Sequence, residues 1–125
     1  MSKQEALYQS LAASGAVLLT FNGIYHLFAA EALFPWGPAF FGSATIFNGI
    51  GVVAIVAGIL LLGAILRFYL FPVIAVSLVT SIIGLAIVIL CETLHGQFNV
   101  FALSVAFAGI LMAYSYRKAA HQSAS

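Results

Sequence analysis

The sequence predicts an all-α integral membrane protein, a four-transmembrane-helix antiparallel bundle with short loops, and three observations predict it. Hydrophobic residues make up 64% of the 125 positions and charged residues 6%, against roughly 25% charged in ordinary soluble domains. The apolar residues fall in runs long enough to cross a hydrocarbon layer about 30 Å thick, which takes about 20 residues at ~1.5 Å each. The few charges lie at the ends of those runs: Lys3, Arg67, Arg117 and Lys118 at alternate ends, Glu31 and Glu92 at the others, with His26 and His95 close by.

The first span is predicted over 7–30, closed by Glu31 and the segment Leu33-Phe34-Pro35-Trp36-Gly37-Pro38, whose prolines cannot donate to a continuing helix. The second, over 44–66, begins near Ser43 or Ala44 and ends at Arg67. From Ile50 to Cys91 only Arg67 interrupts the apolar and small residues, too long a run for one crossing and right for two joined by a tight turn at Arg67-Phe68-Tyr69. Pro72 suits the first turn of a third span over 71–93, with Gly96 as its cap. The fourth span, over 98–116, stops at Arg117-Lys118 and leaves a polar tail, 119–125, expected to lack regular structure. The whole chain, 1–125, reads as one transmembrane domain.

Short connections make neighbouring spans antiparallel, so both termini and the Arg67 turn share one face. Lys and Arg are retained on the cytoplasmic side of short loops, which predicts a multi-pass protein of the cell membrane, an inner membrane, with cytoplasmic N and C termini. Lys3 ahead of an apolar run and Ala30-Glu31-Ala32 resemble a secretory signal and its cleavage site. The run is about twice the usual apolar region of roughly 7–15 residues and carries Asn22 and His26, so it is expected to remain as a span.

In lipid, helices associate through small residues and polar contacts. Such residues form stripes: Gly51, Ala54 and Gly58 on the second span, Ser77, Ser81 and Gly84 on the third, and Ala102, Ala106, Gly109 and Ala113 on the fourth, with Ala12 and Ala16 on the first and Gly15 and Gly23 nearby. These are expected to seal the bundle, or in one case to form an oligomer interface. Phe34, Trp36, Phe40 and Phe41 at one boundary, and Phe68, Tyr69, Tyr114 and Tyr116 at the other, read as interfacial anchors. The stretch 34–41 alternatively forms a surface segment over a cavity. Cys91 reads as a small packing residue.

Spans one and three run in the same direction, which brings His26 and Glu31 to the level of Glu92 and His95, with Asn22 and Asn48 slightly deeper. Ionisable groups at helix ends reach water and need no further role. The sharper readings are metal or haem ligation by His26, His95 and Glu92, or a pocket floored by Asn22 and Asn48 for a lipid headgroup, a quinone ring or a small solute. An Asn22–Asn48 contact pinning helices one and two is the plainer use of those amides.

The positive residues never cluster, which excludes nucleic acid as a partner. No catalytic arrangement or Gly-rich phosphate loop is recognisable, and the residues name no cofactor. The chain is therefore expected to be a non-enzymatic accessory or assembly subunit of a membrane complex or a homo-oligomer, its partners the lipid bilayer and other membrane subunits or itself. A small-solute transporter or channel is the alternative, and a membrane redox or lipid- or quinone-binding protein using the His and Glu cluster a second. Small multidrug exporters place a carboxylate near mid-membrane, and here the carboxylates are at the edge. The segment Gly23-Ile24-Tyr25-His26-Leu27-Phe28, the proline-bearing loop and the glycine-rich second helix ending Gly58-Ile59-Leu60-Leu61-Leu62 resemble the first half of DoxX-like small tetraspan proteins. That likeness covers under half the chain and implies a tetraspan fold without assigning any functional residue.

Overall fold

The computed structural model describes residues 3–67 and 71–124, and at residues 30, 31, 67, 71, 72, 120 and 122–124 the backbone only. The described residues form five helices: α1 Lys3–Leu33, α2 Gly37–Phe40, α3 Ala44–Arg67, α4 Phe71–His95 and α5 Val100–Ala124. Four of them contain stretches long and apolar enough to cross a membrane, Lys3–Ala29, Ala44–Leu66, Val73–His95 and Val100–Ala119. The protein is an all-α four-helix bundle of the multi-pass membrane type. The predicted turn residues Phe68 and Tyr69 lie outside the described residues.

α3 and α4 pass their predicted spans by only one or two residues, and the other two long helices outrun theirs by more. α1 starts at Lys3, and α5 continues through the tail expected to be irregular, as far as Ala124. Arg117, Lys118 and Ala119 are good helix formers with no Gly or Pro after them, and Ala119 is fully buried, so packing holds the extension in place.

Side chains cap the starts of two helices, and a glycine closes the end of a third. Ser43 Oγ accepts the Ile46 amide at 3.1 Å at the start of α3, and Asn99 Oδ1 accepts the Ala102 amide at 3.0 Å at the start of α5. Gly96 closes α4 with φ +62°, a conformation that only glycine adopts freely, and its N–H donates to Glu92 O at 3.0 Å. At the other end of the bundle the Gln9 side-chain amide donates to Ile65 O at 2.9 Å, taking up a last-turn carbonyl of α3 that has no helical partner. That bond ties the beginning of α1 to the end of α3.

Lateral order in the bundle differs from chain order. α3 packs on α1, α1 on α5, and α5 on α4, while the consecutive helices α3 and α4 scarcely touch. The small-residue stripes build the three closed seams. A Cβ on Gly23 would stand 2.6 Å from Gly51 O, and one on Gly58 would stand 3.0 Å from Ala16 O, so the α1–α3 seam is one of backbone against backbone. The α4–α5 seam is the same in kind, with Gly84 against Ala102 and Ala106, and Gly109 against Ser77 and Ser81. Gly15 fits α1 against Ala108 and Met112 of α5.

The well-filled part of the bundle is the end that carries the termini. Its core joins Ala12, Ala16, Leu19, Leu61, Ile65, Val73, Met112 and Tyr116. Tyr116, expected at the membrane boundary, is 1% exposed and is the largest fully buried side chain; the extension of α5 beyond it converts a boundary position into an interior one. Tyr114 keeps the boundary role, with Lys118 Nζ 5.7 Å from its ring centroid.

Candidate functional site: a lidded crevice between α3 and α4

Because α3 and α4 stand apart, the other end of the bundle is hollow. A crevice of about 510 Å³ opens there, walled by Ile50, Gly51, Val53, Ala54 and Ala57 of α3 and by Thr80, Ile83, Gly84, Ile87, Leu90, Cys91, Leu94 and His95 of α4. α1 and α5 form its back through Leu19, Asn22, Gly23, Tyr25, His26, Phe101, Ala102 and Val105. Its volume is within the usual range for small-molecule sites, and its lining is overwhelmingly apolar.

Residues 34–41 close the crevice at the loop end. The prolines and Gly37 allow a single helical turn, Gly37–Phe40, with Pro38 in its first positions. Phe34, Trp36, Phe40 and Phe41 all line the crevice, so this segment is a lid more than a belt of anchors. It is fastened at two points. The Trp36 ring stacks on the His95 imidazole with centroids 3.8 Å apart and planes 14° apart. The Trp36 indole N–H also donates to Gln97 Oε1, while the Gln97 amide reaches Leu33 O at 3.5 Å.

The polar atoms of the wall are mostly committed to protein partners. Asn22 donates to Leu18 O and accepts from Ser104 Oγ, both at 2.9 Å, so it ties α1 to α5 and not to Asn48. Helix order explains the difference, because α5, not α3, faces Asn22. Thr80 Oγ1 donates to Val76 O at 2.8 Å. Buried Cys91 receives the Asn99 amide at 3.5 Å, a packed thiol with a weak polar contact. His26 Nε2 lies 2.6 Å from Phe47 O. A carbonyl can only accept, so Nε2 carries the proton and Nδ1 is the free ring atom.

Comparison with protein-family models, with curated proteins and with solved structures finds no match to this chain. The site therefore stands on its own geometry. Of the sequence-predicted residues, His26, His95 and Asn22 line this one crevice. Glu92 is exposed and Asn48 half-buried, and neither is in the lining. The side chain of Glu31 lies outside the described residues. Among the described residues no three His, Cys, Asp or Glu side chains come together to hold a metal ion.

The sequence reading missed Thr80, Cys91, Asn99, Tyr25 and Phe101 as wall residues. Asn99 had a readable signal, an N-cap residue between a glycine-ended helix and an apolar run. Tyr25 and Phe101, stacked at 4.6 Å, had none, since their meeting depends on which helices are neighbours.

Proposed function

We propose that this chain is a non-enzymatic membrane protein that binds an apolar molecule drawn from the bilayer in the crevice between α3 and α4. The supporting observation is the crevice itself: about 510 Å³ of apolar space, covered by an aromatic lid at one end, between two helices that do not close on each other. An apolar wall inside hydrocarbon excludes water and ions and accepts a lipid-like tail, which disfavours the ion-channel alternative. The position of Lys3, Arg67, Arg117 and Lys118 at the filled end supports a reading in which that end faces the cytoplasm and the lid faces the opposite side of a cell membrane.

The test uses the single tryptophan of the chain, Trp36, which lies in the lid. Lipids and fatty acids with brominated chains are titrated into the purified protein while Trp36 emission is read. Saturable quenching at about one quencher per protein, as for a bounded site, supports the proposal. Quenching that only tracks the bulk mole fraction of brominated chains, as at any lipid-facing surface, sinks it.

A second reading, a subunit or homo-oligomer, is favoured by one face of α3. Gly49, Val52, Val56, Ile59 and Gly63 recur at alternating steps of three and four, and beyond its own helix backbone neither glycine has a described atom within 4 Å of the place a Cβ would occupy. The glycines of the closed seams are used inside the chain, whereas this pair is free to admit another helix. Loss of self-association or of a co-purifying subunit in Gly63→Leu supports this reading, and unchanged assembly removes it.

A further inference from the structure

This inference rests on the crevice being a binding site and concerns what it accepts. We propose that its ligand is a neutral amphiphile without phosphate: a head bearing hydroxyl or carbonyl oxygens placed beneath the lid, and an apolar tail running out between α3 and α4.

Charge distribution decides which head fits. The chain has four Lys and Arg residues in all, and every one belongs to the end of the bundle that carries the termini. From Gly51, in the crevice wall, to Arg67 is 16 residues of α3, about 24 Å along the axis at ~1.5 Å per residue, too far for Arg67 to pair with a head beneath the lid. Among the described residues no Lys, Arg, Asp or Glu is in the lining. Glu92, the described acid at the lid end, is exposed one turn from His95 and adds no positive charge there. A phosphate or diphosphate head would find no fixed cation in that lining to pair with, which in a low-dielectric setting is strongly unfavourable.

The hydrogen-bonding groups that remain suit a neutral oxygen. One N–H of each of the Asn22 and Asn99 amides, the Thr80 O–H and the Trp36 N–H are donated within the chain, which leaves the second amide N–H of each asparagine and the Tyr25 hydroxyl, also in the lining, beside the two histidines. His26 Nδ1 is left over once Nε2 has donated to Phe47 O, and His95 is an exposed residue with Trp36 stacked on its face and Phe40 in a T-shaped contact at 6.4 Å. A neutral imidazole offers an acceptor for a hydroxyl and, through its N–H, a donor for a carbonyl. Both groups line the lid end, so the head belongs there and the tail in the aliphatic part bounded by Val53, Ile83 and Ile87.

Two neutral sources share this chemistry, a glycerolipid and a prenyl alcohol or quinone, and matched pairs separate them from their phosphorylated forms. Purified full-length protein is incubated with dioleoylglycerol against dioleoyl phosphatidic acid, and with farnesol against farnesyl phosphate, and bound species are counted by native mass spectrometry. Val53→Trp and Ile83→Trp, on opposite walls and both largely exposed, fill the crevice without entering a helix seam. The neutral member of at least one pair is retained at least about tenfold more than its phosphorylated twin, as expected of a site that cannot pair a buried charge, and each filled variant loses it. Whichever pair shows the larger retention identifies the source. Equal or tighter retention of the phosphorylated members, abolished in the filled variants, overturns the neutral-head inference and leaves the crevice a binding site. Retention that the filled variants do not reduce, or none at all, overturns the binding site itself.

Discussion

Trp36 lies face to face with His95, ring centroids 3.8 Å apart, and this stack joins the segment between α1 and α3 to the last residue of α4. It is a bond across the open side of the bundle, where the helices themselves make no seam. The lid therefore serves the packing of the loop end as well as the covering of the crevice.

Replacing His95 by Ala removes one face of that stack and leaves the core at the far end untouched. Aromatic pairs contribute about 0.5–1.5 kcal/mol beyond area burial, so lid opening is expected to rise about two- to tenfold. Hydrogen exchange at 37–42 is the readout, and faster exchange there with an unchanged melting temperature is the expected pattern. A uniform rise over all helices would contradict it.

Gly109 and Gly63 are both glycines within long helices and should respond in opposite directions. A Cβ on Gly109 would meet Ser77 O and Ser81 N at 2.6 Å, both backbone atoms. Gly109→Ala is therefore expected to cost about 1–3 kcal/mol through separation of α4 from α5. Gly63 has nothing within 4 Å, and Gly63→Ala is expected to gain up to about 1 kcal/mol from helix propensity. Thermal denaturation of the two variants side by side in one detergent checks the signs.

Asn99 caps α5 through its Oδ1 while its amide reaches Cys91. Asn99→Ala is expected to cost about 1 kcal/mol, and Asn99→Ser much less, since a serine hydroxyl can take the cap. Rapid exchange of the Ala102 amide in the first variant and near-native exchange in the second is the expected result.

His26→Phe tests the short contact with Phe47 O without opening a void. The carbonyl keeps its own helical partner, so the loss should stay near 1 kcal/mol. If the crevice takes a hydroxyl-bearing head, this variant should also lose affinity for farnesol, which calorimetry or native mass spectrometry reads directly.

The number of long helices, their limits apart from the extensions of α1 and α5, and the identity of the packing stripes were legible because they are one-dimensional properties. Length, apolar composition and spacing of small residues decide them. Gly51, Ala54 and Gly58 were visible as a stripe, and so were Ser77, Ser81 and Gly84, but not which stripe each would meet. That His26 and His95 approach one space followed from antiparallel alternation. That Asn22 bonds to Ser104 did not, because the lateral order α3–α1–α5–α4 is a property of the assembled bundle. The role of Trp36 as a clamp depended on that same order. The helical tail to Ala124 was missed because polarity was read as absence of structure, although 117–119 are good helix formers.

Two of the three seams lie within consecutive hairpins, α1 with α3 and α4 with α5. Each hairpin can complete its backbone contact as soon as it has been synthesised and inserted, without waiting for the other. The link between them, from residue 67 to 71, joins the two helices that have no seam of their own. Severing the chain there should leave two fragments that still recognise each other through α1 and α5. The crevice is thus the space left between two finished hairpins, and its width can change without breaking a contact inside either one.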